Sequence, residues 1–394
     1  MSRRYSHRRT GLLGGQRVTL LQNGEAYFPA LTAAIRVAQK HVWLETYIFS
    51  RDPVGMMVRD ALVEAALRGV EVRVLVDGFG SATLDTSWWQ PLLDAGGAVQ
   101  VYGANPSLWS MQRRHLRRLH RKLMVVDGHT AFVSGINIQD DWDIPGQSAP
   151  RFDFAVQIEG GLALRIAVVM EKRWLRHGWR FSMARLVSVG VTPDLVSAKQ
   201  EPVQTALLLR DNVRHRRDIE RAYLFAIGHA RHEILIANAY FLPGLRFRRA
   251  LIAAAKRGVR VRLLLQGMVE YRLQHAATRA LYGYLLKAGV EIYEYRPSHL
   301  HAKVAVIDGV WSTVGSSNID PFSLLLANEA NVVIEDEEFS RDLGQRLERA
   351  IEQDAAHIDT GSWQRQPWHV RLRCWLAYGI VRWGLGVTGL GKSW

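Results

Sequence analysis

The stretch HAKVAVIDGVWSTVGSSN, residues 301–318, repeats the plan of an earlier one, HRKLMVVDGHTAFVSGIN, residues 120–137. In both stretches a Lys follows a His by two positions, an Asp follows that Lys by five, and an Asn follows the Asp by ten. In each, an apolar run reaches Asp-Gly and a second apolar run begins, which is a strong signal for a β-hairpin. Because residues i and i+2 of a strand share a face, the His and the Lys of each stretch are expected to point the same way.

The sequence around these two stretches repeats as well. An extended run precedes each of them, VWLETYIF from Val42 and ILIANAYF from Ile234, and an Arg-Gly-Val step then leads into VRVLVDG (72–78) and VRLLLQG (261–267). Helical segments alternate with these apolar, β-branched runs, which indicates an α/β fold. Two similar halves of one chain are able to pack about a pseudo-twofold axis, as a homodimer does. Such packing would bring the two motifs to one shared cleft.

The repeat divides the chain into two α/β domains and a tail. The predicted bounds are residues 17–185 for the first domain, 203–359 for the second, and 360–394 for a basic, Trp-rich tail. Residues 185–205 contain two prolines and few periodic signals, so they are expected to link the domains. A chain of 394 residues is long enough for two hydrophobic cores.

Composition restricts the partners and the compartment. The formal net charge is +14, and only eight of the 51 basic residues are Lys. A positive field of this size attracts polyanions, which leaves nucleic acid and an anionic membrane surface as alternatives. The single cysteine excludes an internal disulfide framework, in keeping with a reducing compartment. No apolar stretch reaches the ~18 uninterrupted residues that a spanning helix needs, so a transmembrane helix is not expected.

Two histidines and two lysines in matching positions predict a phosphoryl-transfer site built from both halves. Phosphodiester chemistry needs a nucleophile, an acid for the leaving alkoxide, and donors or positive charge around the phosphate oxygens. His120 and His301 would supply the first two functions, while Lys122 and Lys303 would supply the charge. Small residues after each hairpin would let short polar side chains approach the phosphate. The residues expected to contact it there are Asn137, Ser316 and Asn318.

The carboxylates near the motifs fall into two groups. Asp127 and Asp308 belong to the repeated pattern but fall at the predicted hairpin turns, where a structural role is favoured over direct catalysis. Asp153 and Glu329 each stand at the start of a predicted strand beyond the motif of their own half. They are the candidates for orienting the histidines, since a catalytic imidazole needs a partner that fixes its tautomer. No metal or other cofactor is expected, because two His, two Lys and two Asn provide the required groups.

These residues resemble the HKD motif of the phospholipase D superfamily, HxKxxxxD followed by GSxN. The second stretch matches that pattern throughout, whereas the first has Ser134-Gly135 where the family has Gly-Ser or Gly-Gly. Segments such as WLETYIF, VGSSNIDPFS and NEANVVIED are similar to those of bacterial cardiolipin synthases of the short type, which lacks N-terminal membrane helices. The resemblance extends from about Val18 to Ile358. It implies two phospholipase D-like α/β/α sandwich domains in a pseudo-twofold arrangement, with the active site at their interface.

The resemblance also implies a metal-independent phosphatidyl transfer between phospholipid substrates. One His attacks the phosphorus and forms a phosphatidyl-histidine; the other protonates the leaving alcohol and then deprotonates the incoming one. By the order usual in the family, His120 is the expected nucleophile. With phosphatidylglycerol as donor and acceptor the product is cardiolipin, made by a peripheral enzyme on the cytoplasmic side of the bacterial cell membrane. The catalytic residues implied in this way are His120, Lys122, Asp127, His301, Lys303 and Asp308.

Two other functions stay open at the level of sequence. A phospholipase D-type phosphodiesterase or nuclease acting on DNA would use the same chemistry and would suit the net charge, although the apolar repeats and the Trp-rich tail favour lipid over nucleic acid. A catalytically inactive lipid-binding protein is disfavoured by the two intact His-Lys pairs. The tail holds five of the 13 Trp and no acidic residue after Asp359, which favours contact with an anionic membrane surface over docking on the core. The sequence does not indicate the oligomeric state.

Overall fold

The protein is described by a computed structural model that covers residues 12–103, 117–178 and 203–387. Within these ranges the chain forms a single 15-stranded mixed sheet with helices on both faces. The predicted linker, residues 185–205, lies outside the described residues up to residue 202, and so does the predicted end of the first domain.

The first half alternates strands and helices and then completes its part of the sheet with three antiparallel strands. Its elements are β1 (Leu13–Gln22), α1 (Asn23–Val37), β2 (His41–Thr46), α2 (Pro53–Leu67), β3 (Glu71–Asp77), α3 (Thr86–Asp94), β4 (Ala98–Tyr102), β5 (Leu123–Val126), β6 (Thr130–Ser134), β7 (Phe154–Glu159) and α4 (Gly161–Gly178).

The second half repeats this order and extends it with a last strand and two further helices. Its elements are β8 (Val203–Arg210), α5 (Asp218–His229), β9 (Glu233–Asn238), α6 (Leu245–Lys256), β10 (Arg260–Gln266), α7 (Arg272–Arg279), α8 (Tyr282–Leu286), β11 (Glu291–Tyr295), β12 (Lys303–Ile307), β13 (Trp311–Gly315), α9 (Pro321–Leu325), β14 (Glu329–Glu335), α10 (Glu337–Asp354), β15 (Ala355–Ile358), α11 (Thr360–Gln364) and α12 (Trp368–Val387).

The strand order reads the same from both edges of the sheet toward its centre. From one edge it runs β4, β3, β2, β5, β6, β7, β1, and from the other it runs β11, β10, β9, β12, β13, β14, β8, with β15 outside β11. β1 and β8 pair antiparallel at the centre. The predicted α/β fold with two related halves is therefore confirmed, and the halves share one continuous sheet.

Both predicted hairpins are present. β5 pairs with β6, and β12 with β13, each antiparallel across an Asp-Gly turn. Asp127 and Asp308 have φ of 53° and 51°, and Gly128 and Gly309 have φ of 68° and 64°. Asp and Gly are among the residues that tolerate this left-handed conformation, which explains why this dipeptide occupies both turns.

Helices on the two faces of the sheet enclose separate parts of the core. On one face, α4 and α10 pack in a cluster that spans both halves and includes Leu162, Ile166, Leu343 and Leu347. α4 reaches β8 of the second half, and α10 reaches β1 of the first. On the other face, α1 to α3 cover the first half and α5 to α8 cover the second. The shared cluster fixes the two halves against each other by apolar burial.

Helix α12 of the tail lies against α7 of the second half. Cys374, Ala377 and Leu385 are buried in the second-half core. The opposite face of the helix exposes apolar side chains, including Trp375 and Trp383, which are 56% and 72% exposed. Helix α12 therefore docks on the core with one face and exposes the other. Among the described helices, none combines the length and apolarity needed to cross a bilayer.

Candidate active site

Short backbone bridges between the halves bring the two motifs together. The N–H of His120 donates to the carbonyl of Asn328 at 2.9 Å, and the N–H of His301 donates to the carbonyl of Phe152 at 2.9 Å. Asn328 and Phe152 directly precede Glu329 and Asp153 in the sequence. Each histidine is therefore anchored next to the carboxylate of the opposite half.

The resulting histidine–carboxylate pairs are crossed. Nδ1 of His120 lies 3.0 Å from Oε2 of Glu329, and Nδ1 of His301 lies 2.6 Å from Oδ2 of Asp153. Both carboxylates are buried, with Glu329 fully inaccessible. A carboxylate at Nδ1 favours the tautomer with hydrogen on Nδ1, which leaves the Nε2 lone pair available for a nucleophile or a base. The four groups whose roles were assigned from sequence meet in one place, and neither half forms a pair by itself.

The two lysines of the motifs are buried beside the histidines. Nζ of Lys122 donates to the carbonyl of His120 at 3.0 Å. Nζ of Lys303 donates to the carbonyl of His301 and lies 3.5 Å from Oδ2 of Asp153. Burial, and then the charge of Lys303, lower the pKa of Lys122 to about 7. Burial lowers the pKa of Lys303 to about 8, against the attraction of Asp153. An anionic phosphodiester between these ammonium groups would favour their charged forms.

Burial also lowers the pKa of both histidines, but the two environments differ. The charge of Glu329 opposes the effect at His120. At His301 the charges of Lys303 and Lys122 add to it, and the pKa falls well below its usual value. In the absence of a bound anion both imidazoles therefore favour the neutral form, which a nucleophile requires.

The two orienting carboxylates are shifted in opposite directions. Burial raises the pKa of Asp153 to about 6. Burial also acts to raise that of Glu329, but the pKa is nevertheless lowered because His120, Lys122 and Ser316 together outweigh the burial. Glu329 is thus the carboxylate that stays ionised most firmly.

Two asparagines occupy equivalent positions after the hairpins. Oδ1 of Asn137 accepts the N–H of Ile48 at 3.4 Å, and Oδ1 of Asn318 accepts the N–H of Tyr240 at 3.3 Å. Holding Oδ1 in this way turns the amide NH₂ group in the other direction. Asn137 also lines a cavity of about 230 Å³, part of it open to solvent, together with His301 and Asp153.

Ser316 is placed differently from the sequence-based expectation that it contacts phosphate. Its Oγ donates to Oε2 of Glu329 at 2.5 Å and accepts the N–H of Ala330 at 3.1 Å, and the residue is fully buried. Its hydroxyl therefore holds Glu329. In the first half Gly135 takes this position, and a Cβ there would overlap the carboxylate of Asp153. The carboxylate of Asp153 occupies the space that a side chain at position 135 would need. This explains why the first half has Gly where the family pattern has Ser.

Asp127 and Asp308 lie away from the histidines, at the opposite ends of β5 and β12. The carboxylate of Asp127 accepts three consecutive backbone N–H groups, from residues 39 to 41, at 2.8 to 2.9 Å. Asp308 does the same for Arg231 to Glu233. These contacts tie each hairpin to the start of the neighbouring strand. Although the motif groups both residues with the catalytic set, the structure places them in contact with backbone and not with the reacting groups.

Sequence reasoning missed two further residues at the site. The ring centroid of Tyr47 is 4.8 Å from that of His120, and Nζ of Lys122 is 5.3 Å from the Tyr47 ring. Arg151 lines the cavity beside His301, and its charge contributes to the low pKa of that histidine. Tyr47 lies inside the repeated extended run, but the corresponding residue in the second half is Ala239, and Arg151 corresponds to Ala327. Neither residue is repeated, so the comparison of the two halves gave no signal for them.

Among the described residues, no cluster of three or more His, Cys, Asp or Glu side chains is arranged to hold a metal ion. Lys122 and Lys303 contribute positive charge at the site, and Arg151 lies at its edge.

Comparison with known proteins gives consistent results. A family model described as "Cardiolipin synthase, PLD-like domain" matches residues 31–142 and 223–351, one motif in each match. The chain is 38% identical over 377 residues to cardiolipin synthase B of Escherichia coli K12, covering 93% of this chain and 88% of the relative. It is 30% identical over 352 residues to cardiolipin synthase 1 of Bacillus cereus, covering 87% and 67%.

Solved structures support the fold. Phosphatidylserine synthase of Haemophilus influenzae superimposes with a TM-score of 0.69 at 13% identity, covering 96% of both chains. Polyphosphate kinase of Porphyromonas gingivalis superimposes with a TM-score of 0.59 at 13% identity, covering 88% of this chain and 49% of the other. With the crossed His–carboxylate pairs and the two matched domains, these findings show that the chain belongs to the cardiolipin synthase family of phospholipase D-like enzymes.

Proposed function

We propose that this enzyme is a cardiolipin synthase that transfers a phosphatidyl group from one phosphatidylglycerol molecule to another without a metal. The observation that carries the proposal is the pair of crossed His–carboxylate contacts, His120–Glu329 and His301–Asp153, flanked by two buried lysines. One phosphodiester placed between the imidazoles would meet a nucleophile on one side and an acid on the other. The similarity to cardiolipin synthases over 93% of the chain supports phosphatidyl transfer as the reaction.

In the first half-reaction Nε2 of His120 attacks phosphorus, and the bond from phosphorus to the headgroup oxygen breaks. The bound anionic phosphodiester favours the protonated form of His301, which gives its proton to the departing alkoxide, so that glycerol leaves. The imidazole of His120 becomes positively charged when Nε2 bonds phosphorus and Nδ1 keeps its hydrogen. The ionised Glu329 at 3.0 Å stabilises this charge, which supports His120 as the nucleophile.

In the second half-reaction a hydroxyl of the acceptor lipid attacks the phosphatidyl-histidine. The neutral His301 removes the hydroxyl proton, the new O–P bond forms, and the N–P bond to His120 breaks. Lys122 and Lys303 stabilise the charge on the equatorial phosphate oxygens in both steps, the electrostatic task that a metal ion performs in other phosphoryl-transfer enzymes. The amide groups of Asn137 and Asn318 would donate to the same oxygens.

We further propose that α12 holds the enzyme on the cytoplasmic face of an anionic membrane. The exposed face of this helix carries Trp368, Trp375 and Trp383, opposite the face docked on α7. Arg371, Arg373 and Arg382 are exposed on the same helix, and the described part of the tail has no acidic residue after Asp359. Tryptophan and arginine together favour the headgroup region of anionic lipid. From the sequence, docking on the core and contact with a membrane are alternatives. In this proposal α12 does both, because the two contacts use different faces of the helix.

The test uses purified full-length protein in vesicles that contain labelled phosphatidylglycerol, with excess EDTA. We expect cardiolipin and free glycerol as products, resolved by chromatography. Strict dependence on added Mg²⁺ or Mn²⁺ would contradict the metal-free mechanism. A parallel incubation with DNA addresses the nuclease alternative: efficient cleavage of DNA with no lipid product would replace the proposed function.

A further inference from the structure

A cavity of about 330 Å³, part of it open to solvent, lies beside the second motif, next to the catalytic groups but lined by other side chains. Two contacts connect it to the active site. The N–H of Tyr240 donates to Oδ1 of Asn318, and Oε1 of Gln266 accepts the N–H of Leu300, adjacent to His301, at 2.7 Å. The polar side chains that line the cavity are Tyr240, Gln266, Glu270, Tyr271, Gln274, His275 and Thr278.

The cavity offers both an acceptor and a donor of hydrogen bonds. Glu270 lies at the rim, where its Oε2 accepts the hydroxyl of Tyr240 at 2.5 Å. Its charge reaches Lys303, whose pKa it acts to raise. Gln266 is 7% exposed, and its buried Nε2 has no hydrogen-bond partner in the described part of the chain. A buried amide nitrogen without a partner is costly, and a ligand that accepts its hydrogen bond would recover that free energy.

In the first half the corresponding polar side chains form hydrogen bonds within the protein. Asp77, which corresponds to Gln266, accepts the N–H of Leu119 through one oxygen at 2.7 Å and two N–H groups of its own loop through the other. Ser81, which corresponds to Glu270, donates to a backbone carbonyl and accepts a backbone N–H just beyond the end of β2. These polar groups are therefore used within the protein. The second half has an amide with unpaired N–H groups, Gln266, in place of the carboxylate, and a carboxylate, Glu270, in place of the hydroxyl.

Resting on the proposed function, we infer that this cavity binds the glycerol headgroup that leaves in the first half-reaction and attacks in the second. A hydroxyl group donates to Glu270 and accepts from Gln266, so a polyol satisfies both side chains. An ammonium headgroup would suit Glu270 but has no acceptor for the amide of Gln266. A second phosphate is disfavoured because Glu270 would repel it. The cavity therefore selects a neutral, hydroxyl-bearing alcohol.

The selected alcohol takes part in a balanced exchange. The glycerol oxygen bonds phosphorus, the N–P bond to His120 breaks, and the hydroxyl proton passes to His301. Soluble glycerol can follow the same course as the headgroup of a lipid, since the cavity contacts only the polyol. Transfer to labelled glycerol, which turns phosphatidylglycerol into labelled phosphatidylglycerol, therefore reports on the cavity, while transfer to water, which gives phosphatidic acid, reports on the catalytic groups.

The experiment measures both products from phosphatidylglycerol vesicles as the glycerol concentration is varied. We expect saturation by glycerol for the wild type. Glu270→Gln should raise the half-saturating concentration about 10- to 100-fold, the loss of a hydrogen bond to a charged group. Gln266→Glu, which restores the carboxylate of the first half and removes the N–H donors, should raise it about tenfold. In both variants labelled phosphatidylglycerol should fall relative to phosphatidic acid at a fixed glycerol concentration, because both products arise from the same phosphatidyl-histidine. Continued formation of phosphatidic acid also shows that the variants are folded.

Glu352→Gln is the matched control, because this carboxylate is exposed on α10, and its glycerol dependence should equal that of the wild type. Unchanged half-saturation in both cavity variants would overturn the inference, as would equal transfer by the wild type to glycerol, ethanol and ethanolamine. A wild type that forms no phosphatidyl product with any acceptor would instead contradict the proposed function itself.

Discussion

Replacing Glu329 with Gln removes one negative charge beside His120 and changes the shape of the side chain little. The carboxylate lies 3.0 Å from Nδ1 of His120 and is fully buried. Two unit charges ~4 Å apart attract by roughly 4 kcal/mol at an effective dielectric of about 20. Because the imidazole gains its full charge only when phosphatidyl-histidine is complete, we expect the barrier to rise by about 3 kcal/mol. Adduct formation should therefore slow by roughly 10²-fold.

The assay separates the two histidines by removing the need for an acid. A phosphatidyl ester of nitrophenol expels a good leaving group without protonation, so a rapid burst of nitrophenol reports attack on phosphorus alone. Glu329→Gln should slow this burst, whereas Asp153→Asn should preserve it and slow turnover of phosphatidylglycerol. With the same ester, His301→Ala should accumulate the adduct on His120, found by mass spectrometry of the quenched protein.

The control is Glu335→Gln, the same chemical change at the other end of β14. Its burst should match that of the wild type within about a factor of two, as for substitutions that touch no reacting group. A wild-type burst in Glu329→Gln would refute the argument from charge. A burst lost in Asp153→Asn but kept in Glu329→Gln, or an adduct found on His301, would exchange the roles of the two histidines.

Three further outcomes are expected. The pKa of Lys122 is about 7 in the folded protein against 10.5 for an unperturbed lysine side chain, so between these values the unfolded state binds more protons and stability should rise with pH. Lys122→Met should raise the thermal midpoint of unfolding, weaken its dependence on pH and abolish activity. A lower thermal midpoint would contradict this expectation. Asp127→Ala and Asp308→Ala each remove an acceptor of three N–H groups and should lower the free energy of unfolding by about 2–4 kcal/mol, measured by urea titration. Turnover at low temperature should stay within about tenfold of the wild type. A large loss of turnover at unchanged stability would indicate a catalytic role for these residues. Trp375→Ser with Trp383→Ser should weaken flotation with anionic vesicles, more so at high salt, and unchanged flotation would assign the exposed face of α12 to another partner.

Much of the fold was predictable because the two halves of the chain repeat the same sequence pattern. The alternation of buried strands and helices and the Asp-Gly hairpins follow from local patterns that recur in both halves. The single continuous sheet was not predictable, since the pairing of β1 with β8 depends on packing between the halves and leaves no local signal. β1 begins at Leu13, four residues before the start predicted for the first domain at residue 17.

The site was predictable where it is repeated and not where the halves differ. The histidines, lysines and carboxylates stand at matching positions, so the comparison of halves found them. The crossing of the pairs was not visible, because the contact between Glu329 and His120 depends on a bridge between Leu119 and Asn328, which are far apart in the sequence. Ser316 and Gly135 show the same limit: their difference is explained only by the space that Asp153 occupies.

The crossed pairs also bear on how such a chain can change over time. In a symmetric homodimer every substitution appears at both copies of a position, so a useful change on one side is tied to its effect on the other. When the two copies are joined in one chain, each position can change independently of its counterpart. Each histidine still depends on the carboxylate of the opposite half. Glu329 against Asp153, and Gln266 against Asp77, are then free to diverge. It follows that a chain cut between α4 and β8 should give two fragments that are inert apart and active when they are expressed together.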